Sequence, residues 1–358
     1  MITAKETKNI RERSIGLDLT RALAITLVIT SHFSRDSRNF GFWGVEIFFS
    51  LSGFLIGQIL WRNYLNSSKW TVKQVFNFWS RRWWRTIPNY YLFLIINLIL
   101  NVIVIKPIPS FFNFVKFLYF GQFFTQRSWH FFEVSWSLCV EEWLYILFPL
   151  LILIYSKLSQ NKKIVFLSTF VTILLISASF RYHLHSTNSG VDMRLITLAR
   201  LDSIGFGILI AFLYKTFTFS NAVRLICFCF GLILILTPIF ATFLFQLELD
   251  SLINNQIILT IVPFGASLTL PYMYNVKMLS NFSFLRKIIT KVSLWSYSLY
   301  LCHMPILYLV YVSIGKSYKI FVINLCAKLV GFALSFLLSW FLYSNIEVPF
   351  TKRRPAEI

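Results

Sequence analysis

Ten stretches of this chain are apolar for long enough to cross a lipid bilayer, and nothing else in the sequence limits its fold so severely. A spanning helix needs about 20 mostly apolar residues. Such runs fall near residues 17–34, 41–61, 87–105, 134–155, 164–180, 198–214, 223–243, 255–275, 292–313 and 319–345. Backbone inside hydrocarbon must satisfy its own hydrogen bonds. Each run is therefore expected as a helix, and the fold as an all-α polytopic membrane protein with about ten transmembrane helices. The stretch Phe111 to Phe124 is apolar but short, and is expected to be re-entrant or interfacial. Composition agrees: 57% of residues are hydrophobic and 13% charged, against about 45–50% and about 25% in soluble domains. A soluble domain, a disordered chain and a disulfide scaffold are excluded. Cys139, Cys227, Cys229, Cys302 and Cys326 all lie in the apolar runs without a C-x-x-C pair. They read as small buried apolar residues rather than as metal ligands or disulfides.

The charges are few and lopsided, with 34 Lys and Arg against 14 Asp and Glu, a formal +20. Apolar spans separate the basic residues, so nucleic acid is not the expected partner. Basic loops instead set orientation. With ten spans both termini share a side, and that side collects 22 basic residues against 9 on the other. Both termini are therefore expected in the cytoplasm. The organisation expected is a tail at 1–16, a membrane domain at 17–345 and a second tail at 346–358. No cleavable signal peptide and no internal repeat are evident.

An ionisable residue inside a span costs about 2.5–3.5 kcal/mol on insertion scales, so each one asks for a reason. The first span carries Asp18, Arg21 and His32. Arg21 and His32 are eleven residues apart, which at about 100° per residue leaves them roughly 20° apart around the helix and about 16 Å apart along it. Asp18 lies one turn before Arg21, where a carboxylate can orient or pair with the guanidinium. The three either serve one interior cavity or sit at opposite interfaces, with Asp18 and Arg21 paired at the rim. Other charged spans favour the cavity: Glu46 in GVEIFFSLSGFLI, Glu141 and Glu142 in WSLCVEEWLYILFP, Arg200 and Asp202 in ARLDSIGFGILIA, and His303 in YSLYLCHMPIL.

These segments, with GLDLTRALAITLVITSHF and RRWWRTIPNYYLF, resemble in order the motifs of the membrane acyltransferase 3 family. Its members O-acylate polysaccharides and lipopolysaccharides, and the resemblance is to the stand-alone form without an SGNH esterase domain. The family's Arg-x10-His pair falls on Arg21 and His32, and its Arg-x-x-Arg–Pro segment on Arg82, Arg85 and Pro88. Glu46 stands where Asp is commoner and Cys139 where Ser is, which leaves donor and acceptor choice open. The resemblance implies transfer of an acyl group, most often acetyl, from a cytoplasmic acyl-CoA co-substrate to a sugar hydroxyl, in a bacterial inner membrane. It implies no bound cofactor and no metal, and it allows a separate acceptor-side acyltransferase as partner.

Given that chemistry, a base must take the sugar's proton during attack, and His32 is assigned this role; the imidazole carrying the acyl group is the alternative. Glu142 either orients His32 or binds acceptor hydroxyls, and Glu141, about 100° away on the helix, faces elsewhere. Arg21 is assigned to the donor channel, where it can also meet the oxyanion of the tetrahedral intermediate. Asp18, Arg82, Arg85, Glu46, Arg200 and His303 are the donor- or substrate-binding candidates. The basic, Trp-rich stretch from Arg62 to Arg85 suits either CoA phosphates or lipid headgroups. A transporter or flippase for a glycan precursor is the competing function, and a non-catalytic sensor a third.

Overall fold

The computed structural model describes residues 13–33, 39–105, 109–125, 131–187, 191–252, 255–277, 283–314 and 321–358. Residues 1–12, most of the expected N-terminal tail, lie outside the described residues. Everything regular among the described residues is helical. In chain order the helices are α1 (Ile15–Phe33), α2 (Phe40–Asn66), α3 (Val72–Leu100), α4 (Phe111–Leu118), α5 (Ser135–Tyr155) and α6 (Lys162–Ser186). They continue with α7 (Leu201–Thr216), α8 (Asn221–Phe245), α9 (Leu249–Leu252), α10 (Ile258–Asn275), α11 (Ser283–Ile314), α12 (Phe321–Leu342) and α13 (Val348–Lys352). A π turn, Tyr343–Glu347, joins α12 to α13.

Among the described residues eight helices, counting α12 with its continuation through α13 as one, are long and apolar enough to cross a bilayer. The other two expected spans, near 198–214 and 255–275, coincide with α7 and α10, of 16 and 18 residues. α7 begins just after Arg200, and Arg200 and Asp202, at its start, both form ion pairs inside the protein. Both helices pack in the middle of the bundle, α7 against α2 and α10 against α8, so protein rather than lipid surrounds much of their length. The stretch expected to be interfacial forms the eight-residue α4, whose Phe117 is buried while Phe111 and Phe112 are exposed.

α2 crosses α7 at close range, and glycine makes it possible. A Cβ on Gly53 would lie 2.0 Å from the Ile204 carbonyl oxygen, and one on Gly207 would lie 2.2 Å from that of Ser50. Two backbones meet there with no side chain between them, the kind of contact that drives helix association in lipid, where no hydrophobic effect separates helix from tail. At the periphery the pattern reverses. α8 buries only Gly231 and Pro238 and turns Ile226, Phe230, Ile233 and Phe240 outward, as a helix facing acyl chains must.

Charge inside the bundle is sorted into two places. On one side, Arg181 of α6 holds Asp202 of α7 at 2.7 Å and donates to Thr260 of α10 at 3.0 Å. Beside it Arg200, fully buried, pairs with Glu46 of α2 and donates to the Leu259 carbonyl at 3.0 Å. On the other side, α1, α2, α3, α5 and α11 leave a cavity between them.

Candidate active site

The cavity has a volume of about 700 Å³. Its lining follows α2 from Arg62 to Val45, a distance of about 25 Å at the helical rise. That is most of the roughly 30 Å hydrocarbon core. Arg13, Arg62, Lys352 and Arg354 line its basic end. Asp18, Arg21, Arg82, Arg85, Glu141 and Glu347 lie along its walls, and Ser137 and Tyr300 line it further in.

α1 supplies Asp18 and Arg21 from its first two turns. Asp18 does not pair with Arg21. Its carboxylate is held by Arg13, Nη2 to Oδ1 at 2.5 Å and Nε to Oδ2 at 3.1 Å, and accepts from Ser293 Oγ of α11 at 2.7 Å. Arg13, just before the helix, reaches the first-turn carboxylate more easily than does Arg21 on the same helix face. Arg21 keeps only a long contact to Ser293, Nη1 to Oγ at 3.5 Å. Among the described residues no carboxylate lies within ion-pair distance of it, so its charge is left for the cavity.

α3 delivers Arg82 and Arg85 after its aromatics Phe76, Phe78 and Trp79, on a helix opened by a Thr71–Gln74 capping box. Arg82 places its guanidinium 4.4 Å from the centre of the Tyr145 ring. Tyr145 donates to Glu141 Oε2 at 3.2 Å and bonds Ser52 of α2. Arg85 Nε lies 3.8 Å from Glu347 Oε1, and Ser298 Oγ donates to Glu347 Oε2 at 3.1 Å. Asn89 in turn donates to Ser298 at 3.1 Å.

Of the two adjacent glutamates, the cavity takes Glu141 and not the expected Glu142. The register of α5 turns Glu142 toward α3, where it accepts from Thr86 Oγ1 at 3.0 Å. Glu142 is buried off the lining and makes no hydrogen bond to His32. Glu46 and Arg200 also stay off the lining, because they satisfy each other in the paired side of the bundle. His32 is likewise not in the cavity wall. The rise that separates it from Arg21 carries it to the other end of α1, where it is exposed. There its ring lies 5.2 Å, centre to centre, from that of His303, which is completely buried. His303 Nδ1 sits 3.1 Å from the Leu299 carbonyl oxygen, and its Nε2 has no hydrogen-bond partner among the described residues.

Tyr300 and Ser137 connect the cavity lining to the histidines. Tyr300 and Ser137 are bonded at 2.6 Å, and Tyr300 also donates to the Val134 carbonyl at 3.1 Å. The Tyr300 ring lies 5.9 Å from that of His303 on its far side. The bundle therefore lines up a basic mouth, Arg21, Tyr300, His303 and His32 in that order.

Several of these residues were not singled out from the sequence. Glu347 follows a long apolar run in SNIEVPF, and a carboxylate before a proline at the end of a span was the available signal. Tyr300 and Ser137 carry no charge, so nothing in hydropathy marks them.

The family model described as an acyltransferase domain matches residues 14–344. A protein of Staphylococcus aureus (strain COL), named as an inferred O-acetyltransferase, is 28% identical over 360 residues, covering 94% of this chain and 57% of its own length. The O-acetyltransferase OatA of Staphylococcus aureus (strain NCTC 8325 / PS 47) is 30% identical over 220 residues, covering 58% of this chain and 36% of its own. The chain thus spans about half the length, or less, of the curated relatives it matches. No solved structure matches it. A match over residues 14–344, nearly the whole described bundle, places the chain in the acyltransferase 3 family of polytopic membrane proteins.

Proposed function

We propose that this chain is a membrane O-acyltransferase that moves an acyl group, acetyl in the first instance, from acyl-CoA to a sugar hydroxyl of a cell-surface glycan such as a lipopolysaccharide O-antigen or a capsule. It works in the bacterial inner membrane with both described ends on the cytoplasmic side. The observation that carries this reading is the single file from a basic mouth, past Arg21, to Tyr300 and the two histidines. A CoA thioester has the matching polarity: polyanionic at the nucleotide, neutral along the arm, reactive at the tip.

In this reading the nucleotide end stays at the mouth and the arm passes Arg21 and Arg82. The thioester then reaches the Ser137–Tyr300 wall. A sugar hydroxyl enters from the other side against His32. His32 takes the hydroxyl proton as the oxygen attacks the acyl carbon. The C–S bond breaks, the C–O bond forms, and CoA leaves as the thiol with the proton that His32 held. An acyl-imidazole on a histidine is the two-step variant of the same transfer. His303 packs against His32 and fixes its ring. Glu141, through Tyr145 and Ser52, sets the position of the Arg82 guanidinium.

Mass spectrometry of surface glycans with and without the gene tests the reading. An acyl mass that disappears with the gene, and returns with the wild-type chain, is expected. Unchanged acylation with a fall in total surface glycan would replace it with the flippase reading.

A further inference from the structure

Residues 343–358 bring groups to the cavity mouth that no motif of the sequence marks. Thr351, Lys352 and Arg354 line the same cavity as Arg21. The segment that carries them is fastened down. Arg81 Nη1 donates to the Pro355 carbonyl at 2.6 Å, and Asn77 Nδ2 to that of Ala356 at 2.8 Å. Glu357 pairs with Arg62 at 2.5 Å and with Arg81 at 3.7 Å, and Phe350 stacks on Trp84 with ring centres 6.1 Å apart. Lys352 and Arg354 are therefore presented at a fixed place across the starts of α3 and the end of α2.

The mouth has more cations than anions, and the anions are taken. Asp18 is held by Arg13, Glu347 faces Arg85, and Glu357 is shared by Arg62 and Arg81. Among the described residues no carboxylate lies within ion-pair distance of Lys352 or Arg354. Partial burial, and then the charges of Arg81 and Arg85, hold the Arg354 guanidinium below its usual range, with Glu357 offsetting this only in part. Cations crowded in this way favour phosphate oxygens. A lipid headgroup and a nucleotide both offer them. The lining favours the nucleotide, because Lys352 and Arg354 border the cavity that leads inward to Arg21.

We propose that Lys352 and Arg354 are donor-specificity residues that bind the phosphates of the acyl-CoA nucleotide, with segment 348–358 as the fixed wall of that subsite. The proposal rests on the donor reading above. The test uses the full chain in phosphatidylcholine nanodiscs, titrated calorimetrically with CoA and, separately, with pantetheine, which has the same arm and thiol but no phosphates. The Lys352→Gln/Arg354→Gln double variant should weaken CoA binding about tenfold or more and leave pantetheine binding unchanged. A Lys352→Arg/Arg354→Lys variant, which keeps both charges, should bind CoA within a fewfold of wild type. Unchanged CoA affinity in the Gln variant, or equal loss for both ligands, overturns the proposal while leaving the donor reading intact. A difference seen only in phosphatidylglycerol nanodiscs overturns it in favour of a lipid headgroup. A wild-type chain that binds no CoA overturns the donor reading itself.

Discussion

The two sides of this bundle hold charge in opposite ways. Around α6, α7 and α10, Arg181 is matched to Asp202 and Arg200 to Glu46, inside protein and away from the cavity. Around α1, α3 and α5, Arg21 has no carboxylate partner among the described residues and Glu141 faces open space. A charge buried in a span is costly in either setting. Matched pairs offset much of that cost internally. Charges along a polar cavity are relieved by whatever fills it, so they stay available. Charged residues in a span are therefore not one class, and their partners decide what a mutation does.

The sharpest way to break the contrast is Arg200→Ala. It leaves Glu46 buried without its partner, which costs about 3–5 kcal/mol, and immunoblots of membranes should show most of the protein gone. Replacing both members, Glu46→Leu with Arg200→Met, should restore abundance; a double variant as depleted as the single one would mean that the pair does more than neutralise itself. Next comes His32→Ala, which should lower glycan acylation at least about a hundredfold, the scale of a lost general base, with membrane levels intact. Normal acylation by that variant would sink the base assignment. A smaller effect is expected from Arg21→Ala, with abundance unchanged and the apparent acyl-CoA requirement raised about tenfold, the loss of one charge-assisted contact. If abundance falls instead, Arg21 belongs with the paired class.

The smallest expected effect concerns Glu357. Burial alone would raise its carboxyl, but hydrogen bonds from Arg62 and Asn63, with the charges of Arg62 and Arg81, outweigh burial and hold it below the usual carboxylate range. Its contribution to fastening the segment is therefore complete above the ordinary carboxylate pKa and is lost as pH falls through the depressed one. A third of the Glu357 side chain is exposed, so solvent screening limits the pair to about 1 kcal/mol or less. A spin label at position 358 should gain mobility only under acid conditions below that range. Equal mobility at neutral pH in wild type and Glu357→Gln would show that Arg81 and Asn77 hold the segment alone.

Much of the fold was legible because a span announces itself over some twenty residues. All ten expected runs fall on helices; eight, among the described residues, are long and apolar enough to span, whereas α7 has only 16 residues and the 18-residue α10 is not apolar enough. The site was legible only in part. Helical spacing put Arg21 and His32 on one face, but a shared face says nothing about what closes the space between them. Spacing along α1 offered Asp18 the guanidinium of Arg21 to orient or pair with, whereas Arg13 and Ser293 reach it from just before the helix and from α11. Glu141 and Glu142 could be separated by angle, yet which one met the cavity depended on how α5 is rotated against α3. Lys352 and Arg354 looked like an orienting tail, because nothing local records that the chain folds back.

The Ser137–Tyr300 bond also has an electrical meaning. A polar cavity that follows α2 for about 25 Å would, when filled with water, thin the insulator over that part of the membrane. At the inner part of its lining stand the bonded Ser137 and Tyr300, with the buried His303 packed against the tyrosine ring, and in the proposed reading the acyl group would have to open a way between them. A cell that stores energy as an ion gradient is short-circuited by any such opening that outlasts a turnover. On the donor reading proposed above, such an opening is safe only while the donor's arm fills it, so the acyl donor would also be the seal.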